Sequence, residues 1–274
     1  MTAATIAPTG VSERPQHPPI YWAISDTKTI AWRNLVTMRR LPQLLVFSLI
    51  QPVIFVLMFR YVFGGAIHIP GPFPYVDYLM PGVFAQTVAF GAIQTGIGLA
   101  EDLHKGLIER FRSLPMARSA VLSGRTLADL ARNVFVMCLM VGIGYLVGFR
   151  VHTGFLGLIA GMAVMLFFGF SLTWIFAIIG LSVTNAETAQ AASFPILAPL
   201  VFASSAFVVV GTMPGWLQGF AKYQPVSVAI DASRSLMLGG PYASTGKVVA
   251  SICYSIGIIA VFAPLAVRRY RRAA

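Results

Sequence analysis

Six charge-free apolar runs divide this chain: 41–59, 78–100, 133–149, 153–186, 188–221 and 248–267. A helix needs about 20 apolar residues to cross about 30 Å of hydrocarbon. The pattern predicts six transmembrane helices, at about 41–62, 78–100, 126–149, 155–183, 187–210 and 247–267. The third run is short, so its helix is drawn back to Thr126 and carries Asp129 and Arg132 at the interface. The fourth and fifth runs, 34 residues each, exceed one span and must include turns or re-entrant pieces. The fold class is all-α integral membrane, with three additions read from the stretches between and before the runs.

The first addition is the charged island from Glu101 to Asn133. Within it Leu103, Leu107, Phe111 and Leu114 recur at three- and four-residue spacing, the apolar stripe of a short amphipathic helix. Pro115 ends that helix, because proline disfavours helix in the residue before it. Gly106 falls inside it, at a cost of about 1 kcal/mol relative to Ala. The stripe can fill a groove on a cytoplasmic partner, with Glu109, Arg110 and Arg112 as its polar rim, or it can rest on the protein's own spans. The second addition precedes the first span. Trp22, Ile30, Trp32, Leu35 and Val36 set against Lys28, Arg33, Arg39 and Arg40 read as an amphipathic helix at the membrane surface.

The third addition follows the fifth span. Pro214 and Pro225 stand where helices start, and Gly239-Gly240 where one stops. This predicts an outer re-entrant helix pair. Gln224 and Pro225 open its second member, and Asp231 and Arg234, three apart, pair on one face. A charged pair at membrane depth is a functional candidate; the same pair at the outer interface is an ordinary surface pair. Between the fourth and fifth spans, Thr184 followed by Glu187 reads as a capping box, and Glu187 is also a candidate cytoplasmic contact.

Composition agrees with the pattern. Of 274 residues, 57% are hydrophobic and 11% charged, and the mean hydropathy is +0.77. The net charge of +11 does not point to nucleic acid, because the basic residues sit at the ends of apolar runs. Their distribution sets the orientation instead. Fifteen Lys and Arg fall in the N-terminal segment, the island and the tail, against five in the other loops. Basic residues in short loops stay inside, so both termini are expected in the cytoplasm of a bacterial multi-pass inner-membrane protein. Residues 1–20, rich in Pro, Thr and Ala and without the apolar core of a signal peptide, are expected to be a disordered tail, and 21–270 a single transmembrane domain.

Catalytic and metal-binding patterns are missing from the sequence. Gly240 to Lys247 departs from the phosphate-binding loop: five residues separate its glycines, and Val248 stands where Ser or Thr would reach magnesium. His17, His68, His104 and His152 are scattered, and Cys138 and Cys253 lie in apolar runs. Gly144-x-x-x-Gly148 and Gly157-x-x-x-Gly161 allow close helix approach. Pro52, Pro195, Pro199 and Pro264 fall within spans. Met165, Phe168, Trp174 and their neighbours in the fourth span serve as packing, or line a greasy path.

The island Lys105-Gly-Leu-Ile-Glu-Arg-Phe-Arg-Ser-Leu-Pro-Met116 with Gly124-Arg125, the Gln224-Pro-Val-Ser227 to Arg234 stretch with Leu238-Gly-Gly240, and the six-span layout together resemble the permease subunits of type-2 ABC exporters, daunorubicin-resistance branch. The resemblance covers about residues 22–270. It implies an ATP-driven exporter whose ATP and magnesium are bound by a separate ATPase subunit in two copies, with no cofactor on this chain. It further implies a second permease, the same chain or a homologue, and a hydrophobic substrate: drug, polyketide, lipid or glycolipid, with polysaccharide as the alternative class. In such permeases the island's helix, here Leu103 to Leu114 with Glu187 nearby, couples the ATPase to the spans. A secondary transporter or channel is the competing class, and the lack of mid-span acids in the sequence argues against it.

Overall fold

The computed structural model describes residues 42–67, 69, 71–106 and 118–273, with Ser25 and Thr29; side chains are described in 49–67, 69, 71–106 and 123–270 besides those two. The interfacial helix expected over 21–40 and the tail over 1–20 lie outside these residues, apart from Ser25 and Thr29, which are helical. Within them the secondary structure is helical throughout. α1 is Pro42–Leu57 and runs on as a π-helical turn, Met58–Phe63. α2 is Tyr75–His104, α3 Arg118–Val147 and α4 Gly154–Gly180. α5 is Ala186–Phe202, α6 Gly215–Tyr223, α7 Pro225–Met237 and α8 Thr245–Ala273. Four of the helices, α2, α3, α4 and α8, are long and apolar enough to cross a membrane. α1 with its π turn and α5 are shorter.

α2 is the central helix. From Tyr75 to Ala89 every residue is buried, and it packs against α4, α5, α3 and α7. Small residues make that packing close. A Cβ on Gly96 would meet the carbonyl of Phe176, one on Gly180 would meet Gly96 itself, and one on Gly82 would meet Ala206. Backbones at such distances gain dispersion contacts that larger side chains would hold off. α4 is apolar all round, and Met165, Phe168, Trp174 and Phe176 are buried in the core. The packing role anticipated for them holds. α8 instead leaves Ile252, Ile256, Val261 and Leu265 exposed, a face suited to lipid or to a partner helix.

Several local expectations change. α3 starts at Arg118 rather than Thr126. Asp129 is therefore well inside the helix, where it is buried and accepts a hydrogen bond from Thr95 Oγ1 at 2.7 Å. The fifth expected span, 187–210, is helical only to Phe202. The cap before α5 is Asn185, not Thr184: its Oδ1 accepts from the Thr188 N–H and hydroxyl, both at 2.8 Å. Asn caps as well as Thr, and the chain enters the helix one residue later. Of the two small-residue motifs, Gly157 and Gly161 pack against α7, while Gly148 has φ +105° and ends α3.

Candidate functional site

Two charged regions stand at opposite ends of the helices. The first is centred on Arg234 in α7. Pro225 is the first residue of α7, and its missing N–H costs nothing there. Gln224 caps the helix: its Oε1 accepts from the Val226 N–H at 3.0 Å, and its Nε2 donates to the Leu200 carbonyl at 2.8 Å. That ties the start of α7 to the end of α5. One φ-positive glycine, Gly239 at +65°, turns the chain out of α7.

These boundaries hold Arg234 at 1% exposure. Its Nε donates to the Tyr78 carbonyl at 3.0 Å, and its Nη2 to the carbonyls of Ser205 and Ala206 at 2.5 and 3.2 Å. Its Nη1 donates to Asp231 at 3.2 Å, and the guanidinium lies 3.5 Å from the Tyr78 ring centroid. Asp231 is partly exposed, accepts from Ser205 Oγ at 2.9 Å and pairs with Lys247 at 3.3 Å. The pair expected from the three-residue spacing is present, and its arginine is buried. The guanidinium fork joins α2, the segment after α5 and α7, in a geometry that lysine lacks. A cavity of about 300 Å³ borders it, lined by Tyr78, Asp231, Tyr242 and Lys247 among others. Burial pushes the Tyr242 phenol up, so it stays a neutral donor.

A second group at this end escaped sequence reasoning. Asp77, 1% exposed, accepts from the Arg150 N–H at 2.8 Å and shares a hydrogen bond of 2.8 Å with His152 Nε2. It fixes the α3–α4 loop to the start of α2. Only its place at the edge of an apolar run hinted at it.

The other end gathers the last turn of α2, the first part of α3 and the ends of α4 and α8. Arg125 pairs with Asp102, and Lys105 with Glu101 at 2.6 Å. The Glu101 carboxylate raises the Lys105 pKa. Leu103, partly buried, packs against a cluster made of Leu99, Trp174, Ala177, Leu181, Ala266 and Tyr270. Glu187, in the first turn of α5 beyond the short loop after α4, is exposed.

This corrects the expected helix. α2 ends at His104, Lys105 caps it, and Gly106 takes φ +65° with its N–H on the Leu103 carbonyl at 3.0 Å. Glycine ends the helix here because it alone adopts that φ without strain. Gly106 is thus a terminator rather than a mid-helix residue, and Leu103 stands before it in the last turn of α2, partly buried. Leu107, Glu109, Arg110, Phe111, Arg112 and Leu114 lie outside the described residues.

Apolar helices of membrane length, tied by ionic groups at both ends, define a multi-pass membrane protein. A family model described as ABC-2 type transporter matches residues 25–238. The daunorubicin resistance ABC transporter permease protein DrrB1 of Streptomyces coeruleorubidus is 41% identical over 249 residues, covering 91% of this chain and 87% of the relative. The probable doxorubicin resistance ABC transporter permease protein DrrC of Mycobacterium tuberculosis is 27% identical, over 82% of this chain and 81% of the relative. A putative transport permease, ycf38, of Cyanophora paradoxa is 21% identical, over 79% of this chain and 75% of the relative. The chain belongs to the ABC-2 type transporter family and is a membrane permease homologous to drug-resistance ABC permeases.

Proposed function

We propose that this permease exports a hydrophobic compound, of the drug or polyketide kind, across the bacterial cytoplasmic membrane. A separate ATPase drives it, two copies of which serve a pair of permeases. The observation that carries this reading is the 41% identity to a daunorubicin resistance permease along nearly the whole chain. The departure of Gly240–Lys247 from a phosphate-binding loop supports placing ATP and magnesium on the partner. The test is affinity purification of the tagged chain co-expressed with a candidate P-loop ATPase. The two are expected to elute together and to hydrolyse ATP faster when substrate is added. Hydrolysis unaffected by the permease, with no co-elution, argues for a transporter that works alone.

Within the membrane the chain is proposed to cross six times, with α1 and α5 as the shorter spans and α6–α7 dipping into the outer leaflet. The fifteen-to-five division of Lys and Arg supports cytoplasmic termini. Cysteines placed at residues 2–10 or 270–274 are then expected to resist a membrane-impermeant maleimide in intact cells, while one at Gly71 reacts. Labelling of the termini from outside reverses the orientation.

A further inference from the structure

The cavity of about 300 Å³ beside Arg234 holds two further charged groups, on Asp231 and Lys247. Arg234 itself is engaged by three carbonyls. Lys247, its side chain 31% exposed, faces Asp231 Oδ2 at 3.3 Å, which occupies one of the three N–H groups of an ammonium. Asp231, its side chain 29% exposed, takes Ser205 and Arg234 on Oδ1 and keeps a second lone pair on Oδ2. Spare donors and a spare acceptor, of opposite charge, therefore face one space. Lys247 stands one residue before the apolar run 248–267, at the level where lipid phosphates meet the hydrocarbon. Below it an open groove of about 600 Å³ continues along α8. Ala250, Tyr254, Gly257 and Val261 line that groove and follow Lys247 at three- and four-residue spacing, so they stand on one face beneath it. From Ala250 to Phe262 it runs about 18 Å at 1.5 Å per residue, enough to cover one leaflet of a core about 30 Å thick.

We propose that the cavity and the groove together hold one phospholipid with a primary-ammonium headgroup, a phosphatidylethanolamine, as a resident of the fold rather than as cargo. Its phosphate accepts from the free N–H groups of Lys247. Its ammonium donates to Asp231 Oδ2, and one acyl chain lies along α8 over Gly257. Each ionic group of the headgroup meets its opposite, in hydrogen bonds strengthened by charge. A choline headgroup keeps the phosphate contact and loses the other, because its trimethylammonium has no N–H. The lipid joins α7, α8 and the segment after α5 from outside, since Val209, Asp231 and Lys247 all border the cavity. Arg234 joins that segment to α7 and α2 from within. A helix of a second permease is the competing occupant of the groove. The paired charges at the groove's head favour the lipid, which brings both complements at the right depth. The leaflet the lipid belongs to rests on the orientation proposed above; the contact itself does not.

The test titrates the delipidated full chain in detergent with palmitoyl-oleoyl phosphatidylethanolamine or the phosphatidylcholine of the same chains, and counts bound lipid by native mass spectrometry. The ethanolamine lipid is expected to bind one per chain and about ten-fold more tightly than the choline lipid, the worth of one charge-assisted hydrogen bond. Asp231→Asn is expected to erase that difference and leave the choline lipid unchanged. Lys247→Gln is expected to weaken both lipids about ten-fold, because both carry the phosphate. Gly257→Leu fills the groove, where a Cβ meets nothing in the fold, and is expected to weaken both lipids while the ethanolamine preference and the thermal stability persist. Equal binding of the two lipids to the wild-type chain overturns the proposal, as does a preference that survives Asp231→Asn. Glycerophosphoethanolamine, which lacks the acyl chains, is expected to compete only weakly; competition equal to that of the lipid assigns the cavity to a soluble phosphate compound and overturns the lipid. A Gly257→Leu chain that binds lipid normally but no longer pairs with a second permease gives the groove to that partner and overturns it too. None of these measurements needs the ATPase, so their failure leaves the export function standing, and a loss of ATP-driven export leaves the lipid site standing.

Discussion

Arg234→Ala is expected to strip the permease of most of its stability, lowering its membrane level and abolishing export. The guanidinium is 1% exposed and serves four acceptors, on Tyr78, Ser205, Ala206 and Asp231. Its removal takes a donor away from three buried carbonyls and leaves Asp231 without its nearer cation. Breaking a buried pair in this way costs about 3–5 kcal/mol. Arg234→Lys is expected to fail almost as badly, because an ammonium cannot span the same acceptors. Asp231→Ala is expected to be milder, at about 1–2 kcal/mol: the carboxylate is partly exposed, and without it the arginine keeps its three carbonyls and the Tyr78 ring. Thermal unfolding of the detergent-solubilised variants measures this order. Equal and mild effects for Arg234→Ala and Asp231→Ala would mean that the pair is an exposed one.

Phe111→Ala is expected to act at the opposite end and in the opposite manner. The protein should insert and fold normally, yet lose its ATPase and its export. Phe111 is the aromatic member of the stripe from Leu107 to Leu114, and aromatic anchors dominate helix-in-groove contacts. Truncating such an anchor costs about 2–4 kcal/mol of binding, which is on the order of thirty-fold or more in affinity. Glu109, Arg110 and Arg112 form the rim and set register, so single changes there should slow association more than they weaken the complex. Leu103 provides the internal control. Because it is partly buried against the cluster that holds Trp174 and Tyr270, Leu103→Ala should lower thermal stability more than it weakens ATPase association. Quantitative co-purification separates the two outcomes. If Phe111→Ala retains its ATPase and exports normally, and Glu187→Ala does likewise, coupling runs through other residues.

What the sequence disclosed was mostly local. Proline at 225 and glycine at 239 bound α7 as expected, and the three-residue spacing of Asp231 and Arg234 gave the pair. The apolar runs located the helices, since burial in lipid and burial in a bundle select the same residues. What it withheld was long-range. Arg234 finds its other acceptors at Tyr78, Ser205 and Ala206, far along the chain, and no spacing rule reaches them. Gly106 was misplaced because the apolar spacing of the stripe runs past it without a break. Asn185 was passed over because Thr184 and Glu187 offered a familiar cap one residue earlier.

The central claim is that ATP hydrolysed on a partner subunit moves a hydrophobic compound through this chain. The most direct measurement uses inverted membrane vesicles carrying the permease with its ATPase, and follows uptake of a fluorescent aromatic drug such as daunorubicin. Uptake into the vesicle interior should require ATP, should vanish when the ATPase carries a lysine-to-alanine change in its phosphate-binding loop, and should ignore dissipation of the proton gradient. Uptake that persists with that disabled ATPase and collapses with the proton gradient would contradict an ATP-driven exporter and point to a secondary transporter.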